Sequence, residues 1–479
     1  MTSPIATVVR HWADENGGRI FVAGARTNSA ITYEELRSRI DTPYELADEV
    51  SCVALALSDP VEFAGELVRA LAHGRWVAPL DPALGATDPA RLVDKARSLG
   101  CATLIQDGGT VSVDGASARG HGGGIVLASS GTTGTPKVMC LGVDQLLSAA
   151  ALIARHNELT PDDRGFNPLP LFHINAEVVG VLASLTAGAG LILDDRFHRT
   201  DFWPLVERTG ATWINAVPAI IHRLLPLRDG ETVAPRIRFI RSASAPLPAA
   251  LLAEFQRVTG LAVLESYGMT EGASQICANP LHGPRKPGSV GLPVGVSLRV
   301  VDAVGDECHP YEVGQVTLQG PTIITAYESP GYDDRFRDGW LLTGDLGYLD
   351  SDGYVFLVGR TDDVINRGGE KIMPREIEEI LTQIPGVAGA VVVGEADEVF
   401  GQVPVAYVEI EGLRDASGVA THETLIAACR QALLDTLPRG RRPSRLVVVE
   451  ALPRHATGKI QRGVVRTGDV RTLTTVAVS

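Results

Sequence analysis

Apolar and polar positions recur along the chain in a fixed order of short apolar runs and helical periods. Cys52 to Leu57 reads as a strand, Pro60 to His73 sets Val61, Leu67, Val68 and Leu71 at helical spacing, and Trp76 to Leu80 reads as a second strand. That is one βαβ unit. Further strands are expected near Ala102 to Ile105, Ile125 to Ser129, Leu191 to Leu193, Thr212 to Val217, Ile237 to Ile240 and Ala262 to Leu264, with helical patterns such as Val143 to Glu158 and Pro248 to Val258 between them. The alternation predicts an α/β fold whose mostly parallel sheets are flanked by helices. After about residue 290 the runs shorten (Ser297 to Val301, Gln315 to Leu318, Tyr354 to Val358), which predicts a β-rich subdomain over about 290–358. From Pro374 the pattern runs helix to Ile384, strand Ala390 to Val393, strand Val403 to Ile410, helix Thr424 to Leu437 and strand Leu446 to Val449, a small α+β module. A large N-terminal domain over 1–361 and a C-terminal domain over 362–479 are expected, divided within Gly359 to Asp363.

Composition narrows the class. With 479 residues, 45% of them hydrophobic and 21% charged, and with 51 Gly and 29 Pro scattered along it, the chain reads as an ordinary globular protein. Collagen, coiled-coil and mucin-like classes are excluded. Lys plus Arg number 43 against 57 Asp plus Glu, a net charge of -14, which speaks against gripping nucleic acid or an anionic membrane by bulk charge. An anionic substrate therefore needs a local site. No stretch approaches the roughly 18 uncharged apolar residues of a membrane span, and the first residues lack the pattern of a secretion signal. A cytoplasmic protein, mature over its whole length, is expected, with its six dispersed cysteines reduced and buried.

Ser129-Ser130-Gly131-Thr132-Thr133-Gly134-Thr135-Pro136-Lys137 follows a predicted strand and precedes a predicted helix. Its glycines let backbone N–H groups turn toward phosphate oxygens, its hydroxyls add donors and Lys137 adds charge. Pro136 stands where a Walker A loop needs Gly. The loop resembles instead the [ST]SGTTGxPK loop of the adenylate-forming superfamily, which includes acyl-CoA synthetases, peptide-synthetase adenylation domains and luciferases. The resemblance continues in order through Tyr267-Gly268-Met269-Thr270-Glu271, Thr343-Gly344-Asp345, Gly359-Arg360-Thr361-Asp362-Asp363 and Pro453-Arg454-His455-Ala456-Thr457-Gly458-Lys459, so that it covers about residues 50–465.

This resemblance implies a role for each matching residue. Tyr267, Gly268 and Met269, with Ser244, Ala245 and Pro246, are expected around adenine; Ala243 replaces the glycine usual in that last segment. Thr270 is expected on phosphate and Glu271 on Mg²⁺. Asp345, read as lying in a Gly-flanked turn, and Arg360 would hold the ribose. Asp362 matches the hinge, and Lys459 would bridge the acid and the α-phosphate as acyl-AMP forms. His173, in Asn167-Pro-Leu-Pro-Leu-Phe-His173, matches the gate of the carboxylate pocket. Amino-acid adenylation domains usually carry Asp there, so an acid without an α-amino group is expected. Asn175 and Glu177 could make that pocket polar, or Glu177 could bind a cation.

The stretches Tyr267 to Gly291 and Asn366-Arg-Gly-Gly-Glu-Lys371 are similar to the branch of oxalate- and medium-chain acid-CoA ligases, which places Gly369 and Lys371 beside the thiol acceptor. The implied enzyme is an AMP-forming acid–thiol ligase using ATP, Mg²⁺ and coenzyme A, as monomer or homodimer. A carrier protein's phosphopantetheine is the alternative acceptor. A non-catalytic nucleotide sensor and a catalyst of only one half-reaction are further readings. Val138, Gly142-Val-Asp-Gln and the short region before residue 120 depart from the family pattern.

Overall fold

The computed structural model describes residues 3–44, 52–115, 119–120, 122–129, 137–228, 230–410, 419–454 and 459–478. Four sheets organise these residues. The largest has nine strands, in the order Leu292–Pro293, Ser274–Ala278, Ala262–Met269, Phe239–Ser242, Trp213–Ala216, Arg164–Asn167, Gly190–Leu193, Ile20–Gly24 and Ala30–Thr32. The six from Ala262–Met269 to Ile20–Gly24 are mutually parallel, so their carboxyl ends share one edge. That edge is where an open α/β sheet offers a crevice to ligands. The second sheet runs Gly109–Ser112, Thr103–Gln106, Cys52–Ala56, Trp76–Pro79, Gly124–Ser129 and Lys137–Gly142.

Helices cover these sheets with their apolar stripes. Pro60–Ala72 starts with Asp59 accepting the Val61 amide at 2.8 Å and with proline in its first turn, and it buries Val61, Ala64, Leu67, Val68 and Leu71. A single cluster from Ile5 to Ile324 fills the space between the layers. The pattern reading did not include the N-terminal helix Pro4–Asn16, nor the helix Tyr33–Asp41 with its Thr32/Glu35 capping box.

The third sheet, Ser297–Val301, Gly314–Gln319, Trp340–Leu349, Phe336–Arg337 and Val355–Arg360, is the β-rich part and is antiparallel throughout. The fourth begins at Ile365–Arg367 and includes the long pair Val387–Asp397 and Gly401–Ile410, backed by the helix Pro374–Thr382. Its core, with Ile377, Leu381, Val392, Ala406, Cys429 and Leu446, is separate from the main one. The changeover between sheets three and four spans only Arg360 to Ile365, with a single 3-10 turn at Thr361–Asp363.

Three sequence expectations change. Lys137 opens a strand antiparallel to Gly124–Ser129, so the glycine-rich loop joins two hairpin strands and the helix Val143–His156 follows only after the second. Asp345 lies inside the strand Trp340–Leu349, because pairing on both flanks carries the strand through Gly344, whose φ of +78° kinks it without ending it. Of the six free cysteines, Cys140 and Cys308 are only half-buried, each on a strand or turn near a sheet margin.

Candidate active site

The glycine-rich loop falls partly outside the described residues, as do Ser130, Gly131, Thr132, Thr133, Gly134, Thr135 and Pro136; Ser129 closes its strand opposite Lys137. Lys137 is well defined. Its amine sits 4.8 Å from the ring centre of Tyr332 and 5.7 Å from that of Tyr327, a cation held against two π faces. Burial, and then the charges of Arg335 and Arg360, hold its pKa below the usual lysine value, while Glu271 and Asp362 act in the opposite sense. Lys137 therefore faces the acidic and basic groups of two other sheets.

Tyr267, Gly268 and Met269 complete a strand, and Thr270 to Gly272 form a 3-10 turn that swings back into the antiparallel strand Ser274–Ala278. The pairing with Ser274–Ala278 carries the strand expected near Ala262 to Leu264 on as far as Met269. Gly268 is required by space, since a Cβ there would lie 1.6 Å from the Ser274 carbonyl oxygen. The turn buries Glu271, whose Oε1 accepts a 2.8 Å hydrogen bond from the Tyr327 hydroxyl. Among the described residues its Oε2 has no hydrogen-bond donor, which leaves one oxygen of this carboxylate free.

Asp345 is the hub of the opposite wall. Its Oδ1 accepts from Arg360 at 2.7 Å and its Oδ2 from the Tyr267 hydroxyl, while its own amide donates to Thr343 Oγ1 at 3.0 Å. Burial, and then the neighbouring Asp345 charge, push the Tyr267 hydroxyl well above the usual tyrosine pKa, so it stays a donor. Asp362, in the turn that follows Arg360, lies 3.7 Å from Arg335.

Lys459 reaches this cleft from the last part of the chain. His455, Ala456, Thr457 and Gly458 lie outside the described residues, but Lys459 itself has Arg360, Asp345, Asp363 and Arg462 within electrostatic reach. The side chain remains open to solvent at the cleft mouth, yet enough protein surrounds its amine that burial, then Arg360, lower its pKa against the pull of Asp345 and Asp363. Gly369 and Lys371 are elsewhere. They occupy an exposed hairpin, Ile365–Arg367 with Glu370–Ile372, where Gly369 N donates to Asn366 at 2.9 Å and Arg441 pairs with Glu370 at 3.0 Å. Among the described residues, no contact of that hairpin reaches Asp345 or Glu271.

The residues expected on the acid side gather at the carboxyl ends of Arg164–Asn167, Trp213–Ala216 and Phe239–Ser242. Ser244, with φ of +73°, begins the Ser244-Ala245-Pro246 segment and accepts from Asn175 at 3.3 Å. His173 precedes a π-helical turn, Asn175–Leu182, every residue of which is buried; such widened turns recur at functional sites. Beneath Asn175 lies Arg241, 1% exposed. It donates to Gln275 at 3.0 Å, to Asn175 at 3.1 Å and to Asn215 at 3.4 Å, and among the described residues no carboxylate pairs with it. Burial alone pushes its pKa down to about 9. Glu177, on the same helical turn, is 0% exposed, among the described residues neither of its oxygens has a hydrogen-bond partner, and burial raises its pKa well above the carboxylate range.

Sequence reasoning missed Tyr327, Tyr332 and Arg335, which hold Lys137, Glu271 and Asp362, because they stand in a stretch without periodicity. It also missed Arg241, although a charge inside Phe239-Ile240-Arg241-Ser242 is a signal of its own: a lone cation within an apolar run must face something polar.

Such a cleft, with Lys137, Arg360 and Lys459 facing the carboxylates of Glu271 and Asp345, suits a polyphosphate ligand and an accompanying hard cation. Comparison with known proteins gives the family. Residues 125–328 match the AMP-binding enzymes and residues 376–459 the C-terminal domain of AMP-binding enzymes. The oxalate–CoA ligase of Arabidopsis thaliana is 39% identical over 353 residues, which are 72% of this chain and 67% of that protein. The sulfoacetate–CoA ligase of Cupriavidus necator is 40% identical over 342 residues, 71% of this chain and 65% of that protein. The aligned part thus spans about two thirds of the length of these curated relatives. The o-succinylbenzoate CoA synthetase of Bacillus subtilis in complex with ATP and magnesium superposes with a TM-score of 0.78 at 25% identity, covering 95% of this chain and 98% of that one. The chain belongs to the AMP-binding enzyme family.

Proposed function

We propose that the enzyme joins a small carboxylic acid lacking an α-amino group to coenzyme A in two steps, with ATP cleaved to AMP and pyrophosphate. The observation that carries this reading is the convergence of Lys137, Glu271, Asp345, Arg360 and Lys459, from widely separated parts of the chain, on one cleft. In the first step a carboxylate oxygen attacks the α-phosphorus and the bond to the bridging oxygen of pyrophosphate breaks. Two anions must approach each other for this. Lys459 is the cation placed to neutralise them, and Lys137 faces the side on which pyrophosphate would leave.

Asp345, oriented by Arg360 and Tyr267, offers its remaining lone pairs to the ribose hydroxyls. Glu271, with its open oxygen, suits a hard cation such as Mg²⁺, which when bound would offset phosphate charge. In the second step the thiol sulfur attacks the acyl carbon, its proton is lost and AMP departs.

The preference for an acid without an α-amino group is supported by the pocket floor. His173 stands where amino-acid enzymes use Asp, and Glu177, kept uncharged by burial, gives an ammonium no counter-ion. Arg241 and its three amide partners would make that floor polar.

A pyrophosphate-release screen over small, dicarboxylic, aromatic and medium-chain acids and α-amino acids, each with and without CoA, tests this. Release with small acids, increased by CoA, is expected. Release with α-amino acids alone, or acceptance of a holo-carrier protein but not of CoA, would overturn it.

A further inference from the structure

Lys459 is carried by the last part of the chain, and a side chain three residues further on fastens that part to the hinge turn. Backbone contacts close the neck of the segment: Arg454 and Ile460 form an isolated antiparallel bridge, and the Gln461 amide donates to the Pro453 carbonyl at 2.8 Å. They hold its two ends together without aiming it at the cleft. Arg462 supplies the aim. Its Nε lies 3.3 Å from Asp363, its Nη1 lies 2.7 Å from Glu378, and Nη1 also donates to the Val392 carbonyl. Glu378 in turn accepts the Val392 amide at 2.7 Å, so cation and anion both engage the backbone of Val392. The side chains of Arg462, Asp363 and Glu378 are 24%, 20% and 16% exposed, which separates this network from surface ion pairs that contribute little. Asp363 ends the turn Thr361–Asp363 and directly follows the proposed hinge Asp362.

Asp363 is also a competitor for the lysine. Its charge acts on the Lys459 amine together with those of Asp345, Arg360 and Arg462. An uncompensated carboxylate at this point would offer the ammonium an internal partner and draw it from the two anions it has to bridge. Asp363 is already taken. Arg462 holds one of its oxygens, and Arg466, at the other end of the short helix Arg462–Arg466, lies 3.4 Å from the other. A permanently charged planar fork with several donors can hold two carboxylates and a carbonyl at once, which a lysine ammonium on its flexible stem cannot do as well.

Resting on the acid–CoA ligase reading above, we propose that Arg462 is a positioning residue for Lys459: it fixes the lysine segment to the residue after the hinge, so that the amine travels with the hinge, and it keeps the Asp363 carboxylate from capturing that amine. Arg462 acts through Lys459. Burial first, then Arg360 and Arg462, lower the Lys459 pKa against Asp345 and Asp363. Loss of Arg462 removes a repelling cation and frees a carboxylate, and both changes favour the ammonium and raise that pKa.

The test sets Arg462→Ala, Arg462→Lys and the double variant Arg462→Ala/Asp363→Asn beside the wild type, in acid-dependent ATP–pyrophosphate exchange across pH and in CoA thioester formation from supplied acyl-AMP. In Arg462→Ala, kcat for exchange should fall by about 10–10²-fold, the scale of a misplaced catalytic group, and its alkaline limb should move to higher pH. Thioester formation should stay within about threefold of the wild type, because Lys459 serves the first step only; it also reports folding. Arg462→Lys should lie between Arg462→Ala and the wild type. Adding Asp363→Asn to Arg462→Ala should recover about threefold or more of the lost exchange, a coupling expected of paired groups. Exchange in Arg462→Ala within about twofold of the wild type, an alkaline limb that stays or moves down, or a double variant no better than the single one would overturn the assignment. Parallel loss of both activities in Arg462→Ala and Arg462→Lys would overturn it too, by making Arg462 a residue of the fold alone. Absence of acid-dependent exchange in the wild type would instead strike the ligase reading on which it rests.

Discussion

At Lys459 the surrounding protein and the nearby Arg360 both disfavour a positive charge, and Asp345 and Asp363 favour it, with the balance on the side of a lowered pKa. The cation is the form that can bridge a carboxylate and a phosphate. Pyrophosphate exchange should therefore decline as pH rises through a value below that of an ordinary lysine. Lys459→Arg, charged at every accessible pH, should move that alkaline limb upward. A pH profile of kcat/KM for exchange checks this, and a limb that stays in place in the arginine variant assigns it to another group. That Lys459, Glu271 and Asp345 belong to one cleft was legible in the sequence because each lies in a short motif with one ionisable side chain. Arg241 and Tyr327 were not legible, since their meaning depends on what faces them across the fold. Arg241 matters only because three amides and no carboxylate surround it.

Among the elements, the hairpin Ala262–Met269 with Ser274–Ala278 sets the positions of Tyr267, Thr270 and Glu271 together. Its tightest point is Gly268, where even a methyl group would collide with the Ser274 carbonyl. Gly268→Ala should cost about 1–3 kcal/mol of stability, as overpacking does, and weaken nucleotide binding at the same time. Denaturant unfolding and AMP titration would show both effects, whereas unchanged values in both would show that the hairpin accommodates the methyl group. Alternation of apolar runs located most of the strands and helices within a few residues, as for Ser297–Val301 and Arg445–Val449. It failed where polar residues are built into strands. Lys137–Gly142 and the middle of Trp340–Leu349 were not read as strands because Lys137, Gly344 and Asp345 put charged residues and a glycine in strand positions. The hairpin turn at Thr270 was likewise hidden by its own motif.

Across the whole molecule, the arrangement corresponds to the first of the two proposed steps: Lys459 is at the Asp345 cleft while the Gly369 hairpin makes its contacts elsewhere. The turn Thr361–Asp363 is the short connection through which the last sheet would reorient for the second step. Proline at Asp362 would lock that backbone near φ of about −65°. Asp362→Pro should retain ATP–pyrophosphate exchange within a few-fold and lose most thioester formation; equal loss of both would remove Asp362 as the hinge. The most direct measurement sets Lys459→Ala beside the wild type in two assays, acid-dependent ATP–pyrophosphate exchange and CoA thioester formation from supplied acyl-AMP. The exchange should fall by about 10²–10³-fold, the scale of losing one charge-stabilising group, while thioester formation stays near the wild-type rate. Parallel loss of both activities, or retained exchange, would contradict the account.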